Sequence, residues 1–418
     1  MREAVQSQAP GILYQNNSAG NIVTGGGPYG WVEPERYFDT STYGSKHFGF
    51  HTEIGMPVVS TAASTRAMVG EDGPESPIGG AWCHHDWSER GNQAPHTYRA
   101  AIETRLGTAR DLDDFTRKAQ FVNYENFRAM FEAWNAHLWD NASGVMLWMS
   151  HPAWHSTVWQ TYDYDFDVNG AYFGCRSACE PLHIQADPVQ WQVIAVNHMR
   201  RALKNARVSA ETYDLSGHRI ASTRHARADV DPAASAEAYT SPFTDDMPEL
   251  HLLRLTLRDD RGRVRSRNTY WRSRTPGALR TLNQLQQAGL SASLTQVSRH
   301  GEWHEATATV RNRGPWWPRW SGCPCSTRTA PGSCRRSTTT IICGCCPARP
   351  ARSPCPGRPP PSPPAARSWR WRATTLPPSR CGAEQYRGDT EPATPLRRRG
   401  LSCVGQDPTC ISCGRLSS

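Results

Sequence analysis

Cysteine is scarce over most of this chain. Only Cys83, Cys175 and Cys179 precede Gly314, too few for a disulfide framework. No run of 18 apolar residues occurs, so no membrane-spanning helix and no membrane partner are expected. The opening residues, Met1-Arg2-Glu3-Ala4-Val5-Gln6-Ser7-Gln8, lack the apolar core of a secretory leader, which leaves the native compartment open. Lysine is missing after Gly314. Residues 315–418 hold 16 Arg and 4 acidic residues, a net of +12, whereas the residues up to Gly314 hold 31 basic and 34 acidic, a net of −3. The overall formal charge of +9 thus belongs to the tail. Its Arg residues follow no amphipathic or motif order, so no nucleic-acid partner is expected.

The tail is also where 11 of the 14 Cys and 18 of the 32 Pro lie, and its composition reads as a GC-rich coding sequence in a shifted frame. Regrouping each codon's first two bases with the last base of the preceding codon forces Trp317 to Val, Pro318 to Ala and Cys346 to Leu. A continuous β pattern then extends beyond Ala306-Thr307-Ala308-Thr309-Val310. As written, residues 315–418 are expected to be a disordered tail unable to bury enough apolar surface to fold. Its Cys-x-Cys and Cys-Cys pairs have no His or second pair at metal spacing, so no zinc or other cofactor is expected.

Residues 1–181 alternate strand and helix signals. Gly11-Ile12-Leu13-Tyr14 reads as a short apolar strand and Phe48 to Glu53 as the next, ending on a carboxylate at a tight turn. A helix starts at Thr61. From Asp111 to Trp139, Tyr124, Phe127, Phe131, Trp134 and Leu138 recur at three- and four-residue steps, giving one apolar stripe, with Asp111 and Asp114 at a helix start. Val145 to Trp148 ends a further strand on an aromatic, and Tyr172 to Cys179 reads as a short helix with Cys175 and Cys179 as core thiols. Cys83-His84-His85-Asp86 reads as a solvated loop rather than a metal cluster.

This is the βα repeat of a parallel barrel, whose active groups sit after strand C-termini; a complete barrel takes roughly 250 residues. The fold class expected is α/β plus β: the C-terminal part of a (β/α)8 barrel over 1–181, an Ig-like β-sandwich over 182–275 and the start of a second over 276–314. The sandwich expectation rests on short strands at Gln190 to Asn197, Val208 to Leu215, Leu250 to Leu257 and Val264 to Trp271. Pro276-Gly277 reads as the break between the two sandwiches.

Four stretches carry a resemblance. They are Phe50 to Gly55 with Met56-Pro57-Val58; Asp113-Asp114-Phe115 through Lys118-Ala119-Gln120 to Tyr124-Glu125; Gly144 to Met149 with Pro152 and Trp154; and Gly170 to Gly174 with Glu180-Pro181-Leu182-His183. In these the chain resembles glycoside hydrolase family 2, in its exo-β-glucosaminidase and mannosylglycoprotein endo-β-mannosidase branch. The resemblance implies that Glu53 is the catalytic nucleophile after barrel strand 7. It also implies that Trp148, Trp154 and Tyr29 line the sugar subsite, and that His151 stands there where many members carry Asn. The family's acid/base carboxylate follows strand 4, and nothing before Glu53 fits it, Glu33 and Glu35 being on the wrong loop.

The expectation is therefore a fragment of a retaining β-glycosidase, acting on terminal β-linked glucosamine or β-mannoside units and itself inactive. The alternative is a carbohydrate-binding β-sandwich protein without hydrolysis. In either case the partner is an oligosaccharide or glycan.

Overall fold

The computed structural model describes residues 1–20, 22–39, 48–69, 80–88, 95–221, 223–285, 290–300, 303–312 and 368–374. Two parallel strands, β1 (Gly49–Ile54) and β2 (Ala142–Leu147), form the sheet nearest the predicted site. The segment ahead of β1 extends this parallel arrangement. Thr24 bridges His51 in parallel sense, and the Thr24 and Gly27 amides donate to the Phe50 and Glu53 carbonyls. Helix α1 (Arg2–Gln8) precedes this segment and buries nothing.

Gly11 to Tyr14 is not a strand. Ile12 and Leu13 follow a turn and are exposed, since a short apolar run needs a covering element to order as a strand.

Between β1 and β2 the chain forms α2 (Ala62–Val69), α3 (Gly80–His84), α4 (Pro95–Leu106) and α5 (Leu112–Ala136). No proline or glycine interrupts α5. Asp111 caps it, its side chain accepting from the Asp114 amide at 2.7 Å, as the Asp pair predicts. Phe115, Ala119, Val122, Phe127, Met130 and Trp134 bury one face against Ile54, Met56 and Ile102 in a common core.

Helix α6 (Gly170–Ala178) packs closely on α5: a Cβ on Gly174 would lie 2.5 Å from the Tyr124 carbonyl oxygen. Cys175 joins this packing partly buried, but Cys179 is exposed and is not a core thiol, because it caps the C-terminus of α6 where the last turn leaves the interface.

From Leu182 the chain is β. One sheet pairs β3 (Leu182–Ala186), β4 (Gln192–Asn197) and β7 (Ala234–Thr240). The other runs in the order β6 (Arg224–Val230), β5 (Leu203–Tyr213), β8 (Leu250–Arg258) and β9 (Val264–Ser273), all antiparallel. Ile184, Ala186, Val193 and Ala195 from the first sheet meet Val208, Leu253, Leu255, Leu257 and Tyr270 from the second. The result is a sandwich core built by period-2 alternation.

Pro276-Gly277 is not a bare break. Pro276–Gln284 forms a 3-10 turn whose Arg280 and Asn283 side chains donate to the Glu103, Thr104 and Leu106 carbonyls at the C-terminus of α4.

The strands β10 (Leu290–His300) and β11 (Trp303–Asn312) then pair as an antiparallel hairpin, and β12 (Ser368–Thr374) joins them. That last strand falls inside the stretch expected to be unfolded. Its Trp-Arg-Trp-Arg alternation supplies the two-residue period of a strand. The rest of residues 315–418, including the positions on which the shifted-frame reading rests, lies outside the described residues. Among the described residues no helix is long and apolar enough to cross a membrane.

Candidate active site

Glu53 is the penultimate residue of β1, and Trp148 follows the last residue of β2. Parallel pairing brings them to the same end of the sheet: Ile54 is opposite Leu147, and the Trp148 amide donates to the Ile54 carbonyl at 2.8 Å. The register slips between His51 and Ile54. Such a bulge re-aims the side chains beside it, and Glu53 sits within it.

The Glu53 carboxylate accepts a hydrogen bond from the Tyr29 hydroxyl. Burial, then the hydrogen bond to Glu53 and its negative charge, push the Tyr29 phenol far above the usual tyrosine range, which keeps it a neutral donor. Three contacts fix Tyr29. Gly27, at φ +94 and joined to Pro28 by a cis bond, turns the chain so tightly that a Cβ there would lie 2.7 Å from the Tyr29 amide nitrogen. The Tyr29 ring lies 5.6 Å from that of Trp159, and the Trp159 indole N–H donates to the Tyr29 carbonyl at 3.0 Å.

Two residues before Glu53 on β1, His51 is buried. Its Nε2 lies 2.8 Å from the Gly27 carbonyl oxygen, its Nδ1 3.0 Å from the Thr24 hydroxyl, and its ring 5.1 Å from that of Trp134. Beyond Glu53, Gly55 is backed directly by the Trp148 carbonyl, which a Cβ would meet at 2.0 Å. Only glycine lets the two strand ends approach this closely.

The polar residues of α5 are supports around this end of the sheet. Gln120 Nε2 donates to the Val59 and Ser60 carbonyls while its Oε1 accepts from the Gly170 amide, tying the chain after β1 to the start of α6. Asn123 donates to the Val59 carbonyl at 2.9 Å and accepts from the Tyr98 hydroxyl at 2.7 Å. Lys118, buried, donates to the Gly107 and Thr108 carbonyls and pairs with Asp114 at 3.1 Å. Glu125 holds Arg105 at 2.8 Å, and Arg105 reaches Glu33 at 3.7 Å.

The other predicted site residues lie on the loop between β2 and α6. Trp148 is 38 % exposed and Trp154 41 %. The Trp154 ring rests on His85, nearly parallel to it at 5.5 Å, with His84 edge-on at 5.7 Å. Cys83 and His84 are solvated as expected but end helix α3 rather than forming a loop, and the turn at His85-Asp86 sets His85 against Trp154. His151 stacks on Phe166 at 4.1 Å, and its Nε2 lies 3.2 Å from the Tyr164 carbonyl oxygen. Trp159, which sequence reasoning passed over, links Tyr29 to this loop; its aromatic spacing from Trp154 was the available signal. A cavity of about 390 Å³ between Asp214, Pro248 and Thr281 contains none of these residues. No group of three or more His, Cys, Asp or Glu among the described residues has metal-site geometry.

Residues 189–275, the sandwich, match the Mannosidase Ig/CBM-like domain family. The chain is 28% identical over 317 residues to an exo-β-D-glucosaminidase of Amycolatopsis orientalis, covering 68% of this chain and 30% of that one. It is 30% identical over 276 residues to an exo-β-D-glucosaminidase of Streptomyces avermitilis, covering 63% and 30%. It is 28% identical over 204 residues to a mannosylglycoprotein endo-β-mannosidase of Lilium longiflorum, covering 46% and 21%.

The crystal structure of the exo-chitosanase CsxA from Amycolatopsis orientalis superposes with a TM-score of 0.61 at 27% identity over 68% of this chain and 37% of that one. The chain is related to the exo-β-D-glucosaminidase and endo-β-mannosidase branch of glycoside hydrolase family 2. It spans about three tenths of the length of the exo-β-D-glucosaminidases it matches.

Proposed function

We propose that this chain carries the nucleophile half of a retaining β-glycosidase site, for terminal β-linked glucosamine or β-mannoside units. In this reading residues 1–181 are the C-terminal portion of a (β/α)8 barrel, with the 24–28 segment, β1 and β2 as three consecutive staves. Residues 182–275 are its Ig-like companion, and 276–314 begin a second such domain. The observation that carries it is Glu53. It stands at the C-terminal end of a parallel strand with a neutral phenol donating to its carboxylate and a half-exposed indole on the neighbouring strand end. Support also comes from CsxA, of which a complex with PNP-β-D-glucosamine is solved.

Glu53 would attack the anomeric carbon, its oxygen forming a bond to C1 as the C1–O bond to the leaving group breaks; water would then release the sugar. Tyr29 would steady the carboxylate before attack. Trp148 and Trp154 would pack against pyranose faces, and His151 would border the same loop. The leaving oxygen needs a proton from a second carboxyl group about 5–5.5 Å from the first. Glu33, which faces Arg105, is not assigned that role in this reading, and without such an acid glycosylation of Glu53 by natural substrates would be very slow.

An activated 2-fluoro-glycosyl donor, whose leaving group departs without protonation, tests the nucleophile independently of any acid. The expected result is one sugar adduct on the peptide holding Glu53, lost in Glu53→Gln; labelling elsewhere, or none, would reject the assignment.

A second reading has one observation in its favour. The domain over 189–275 is of a CBM-like family, so carbohydrate binding without turnover would leave sugar affinity intact in Glu53→Gln.

A further inference from the structure

The four-stranded sheet of the sandwich places arginines side by side on its outer face. Val208, Ala228 and Leu257 point into the sandwich core, so their neighbours Arg207, Arg227 and Arg258 stand on the opposite face. The strand register aligns them. Arg207 on β5 is directly opposite Arg227 of β6 on one side and Arg258 of β8 on the other. Adjacent strands lie about 4.8 Å apart, so three cationic side chains leave the sheet within about 10 Å. Like charges set directly across strands oppose pairing. Glu211 on β5, Asp229 on β6 and Asp259 just beyond β8 face other cations: Arg254 at 2.9 Å, Lys204 at 3.8 Å and Arg263 at 2.8 Å. Among the described residues no carboxylate lies within ion-pair distance of Arg207, Arg227 or Arg258. Arg207 and Arg227 are exposed, and Arg258 is half-buried, its Nη1 donating to the Gly262 carbonyl at 3.1 Å. The next row along the strands continues the polar character, with Ser209 opposite both His225 and Thr256, and Thr256 opposite Arg267.

We infer that this face of the sandwich docks a sulfated linear polysaccharide, at a site separate from Glu53. A row of guanidinium groups without acidic partners is repaid when an external polyanion supplies them, and each fork takes an oxyanion in bidentate fashion. The Ser209 and Thr256 hydroxyls beside the row suit a sugar backbone. A uronate chain carries one charge per sugar on alternating edges, which is sparser than this row, whereas a sulfated chain carries several. Duplex nucleic acid fits poorly, because four strands span roughly 14 Å and the major groove is about 12 Å wide. Single strands bind on stacking aromatics, and neither row holds Phe, Tyr or Trp. A membrane surface is disfavoured too, since no large apolar side chain is exposed on β5, β6, β8 or β9. The match of residues 189–275 to a CBM-like family agrees with a carbohydrate occupant.

Because the stretch after Gly314 is also rich in arginine, the test must read each arginine separately. The full chain is treated with phenylglyoxal, and modification is mapped by mass spectrometry with and without a heparin octasaccharide. Modification of Arg207, Arg227 and Arg258 should slow about tenfold at saturating oligosaccharide, and the protection should fade as salt rises. Arg207→Gln removes the middle charge, so protection of Arg227 and Arg258 should fall, while the thermal midpoint without ligand holds or rises. A lower midpoint in Arg207→Gln would show that the guanidinium serves the fold, and overturns the inference. Protection confined to residues after Gly314, or undiminished at Arg227 and Arg258 in Arg207→Gln, also overturns it. Equal protection by a galacturonate octamer overturns the choice of sulfate, and equal protection by a DNA duplex of matched charge overturns the choice of polysaccharide. The same measurements in Glu53→Gln should be unchanged, which keeps this site distinct from the glycosidase reading.

Discussion

The Tyr29 hydroxyl donates to the Glu53 carboxylate across 24 residues of sequence, joining the chain ahead of β1 to the end of that strand. Because burial and Glu53 both raise the phenol's pKa, the donor stays protonated across the range where carboxylates are ionised. Tyr29→Phe keeps the ring on Trp159 and removes only the hydroxyl. Labelling of Glu53 by an activated fluoro-glycoside should then slow, by up to about 100-fold, because the hydroxyl that holds the carboxylate in its attack geometry is gone. An unchanged labelling rate in Tyr29→Phe would show that the hydroxyl does not act on Glu53.

Gly55 against Trp148 offers a purely steric test. The obstacle to a Cβ at Gly55 is a backbone carbonyl at 2.0 Å, not the flexible end of a side chain, so the neighbour cannot yield cheaply. Gly55→Ala should destabilise the chain by about 1–3 kcal/mol in urea titration and shift the fluorescence of the adjoining indole. Gly11→Ala, with open space around it, serves as the silent control.

What could be read from letters alone follows from the physics of each element. Helix α5 was legible because 25 residues without a breaker repeat an apolar stripe and start on an Asp cap. Strands β1, β2, β8 and β9 were legible through β-branched, aromatic or alternating runs. The strands Arg224–Val230 and Ala234–Thr240 were not, since alanine and charge dominate them and their strand state comes from pairing with β5 and β4. Glu53 stood out as a carboxylate at a strand end. Its partner Tyr29 was placed beside the pocket only through the resemblance, and the hydrogen bond between them is a tertiary fact. Lys118 and Gln120 were visible as motif letters, and Asn123 was not. That Gln120 and Asn123 hold the chain after β1, and Lys118 the turn ahead of α5, became plain only from where their side chains end.

Asp114 makes an acid-limb prediction. Burial raises its carboxyl pKa, but hydrogen bonds from Lys118, from the Arg110 amide and from Arg117 outweigh burial and hold it at about 2. A depressed carboxyl contributes stability that is complete above its unfolded value near 4 and is lost as pH falls through its folded value. Stability should therefore decline between about pH 4 and pH 2, by roughly 2 kcal/mol from this group. Asp114→Asn should lose that contribution at neutral pH and flatten this part of the profile, which denaturant titrations at pH 2, 3, 4 and 7 would reveal.

The opposite sign is expected where α5 meets the sandwich. Glu132 accepts from Asn268 at 2.6 Å and from Tyr270 at 2.9 Å, and lies 3.0 Å from His183 Nε2; Arg128 is beside it at 3.7 Å. Glu180 stands 3.3 Å from His183 Nδ1. Burial alone would lower the His183 pKa, but hydrogen bonds and charge from Glu132 and Glu180 raise it above the ordinary histidine value. A raised histidine contributes stability that is complete below its unfolded pKa near 6.5 and is lost as pH rises through the folded value. His198, lowered by burial and by the charge of His183, works against this trend from the other side, so the mutant difference is the clean measure. Glu132→Gln should cost about 3–5 kcal/mol at pH 6, the usual result of removing one partner from a buried charged cluster. Its penalty relative to the parent should shrink as pH rises from 6 to 9, because the parent loses the His183 contribution that the variant never had. A penalty that stays constant from pH 6 to 9 would mean that His183 is neutral in the folded chain and that Glu132 is held by Tyr270, Asn268 and Arg128 alone.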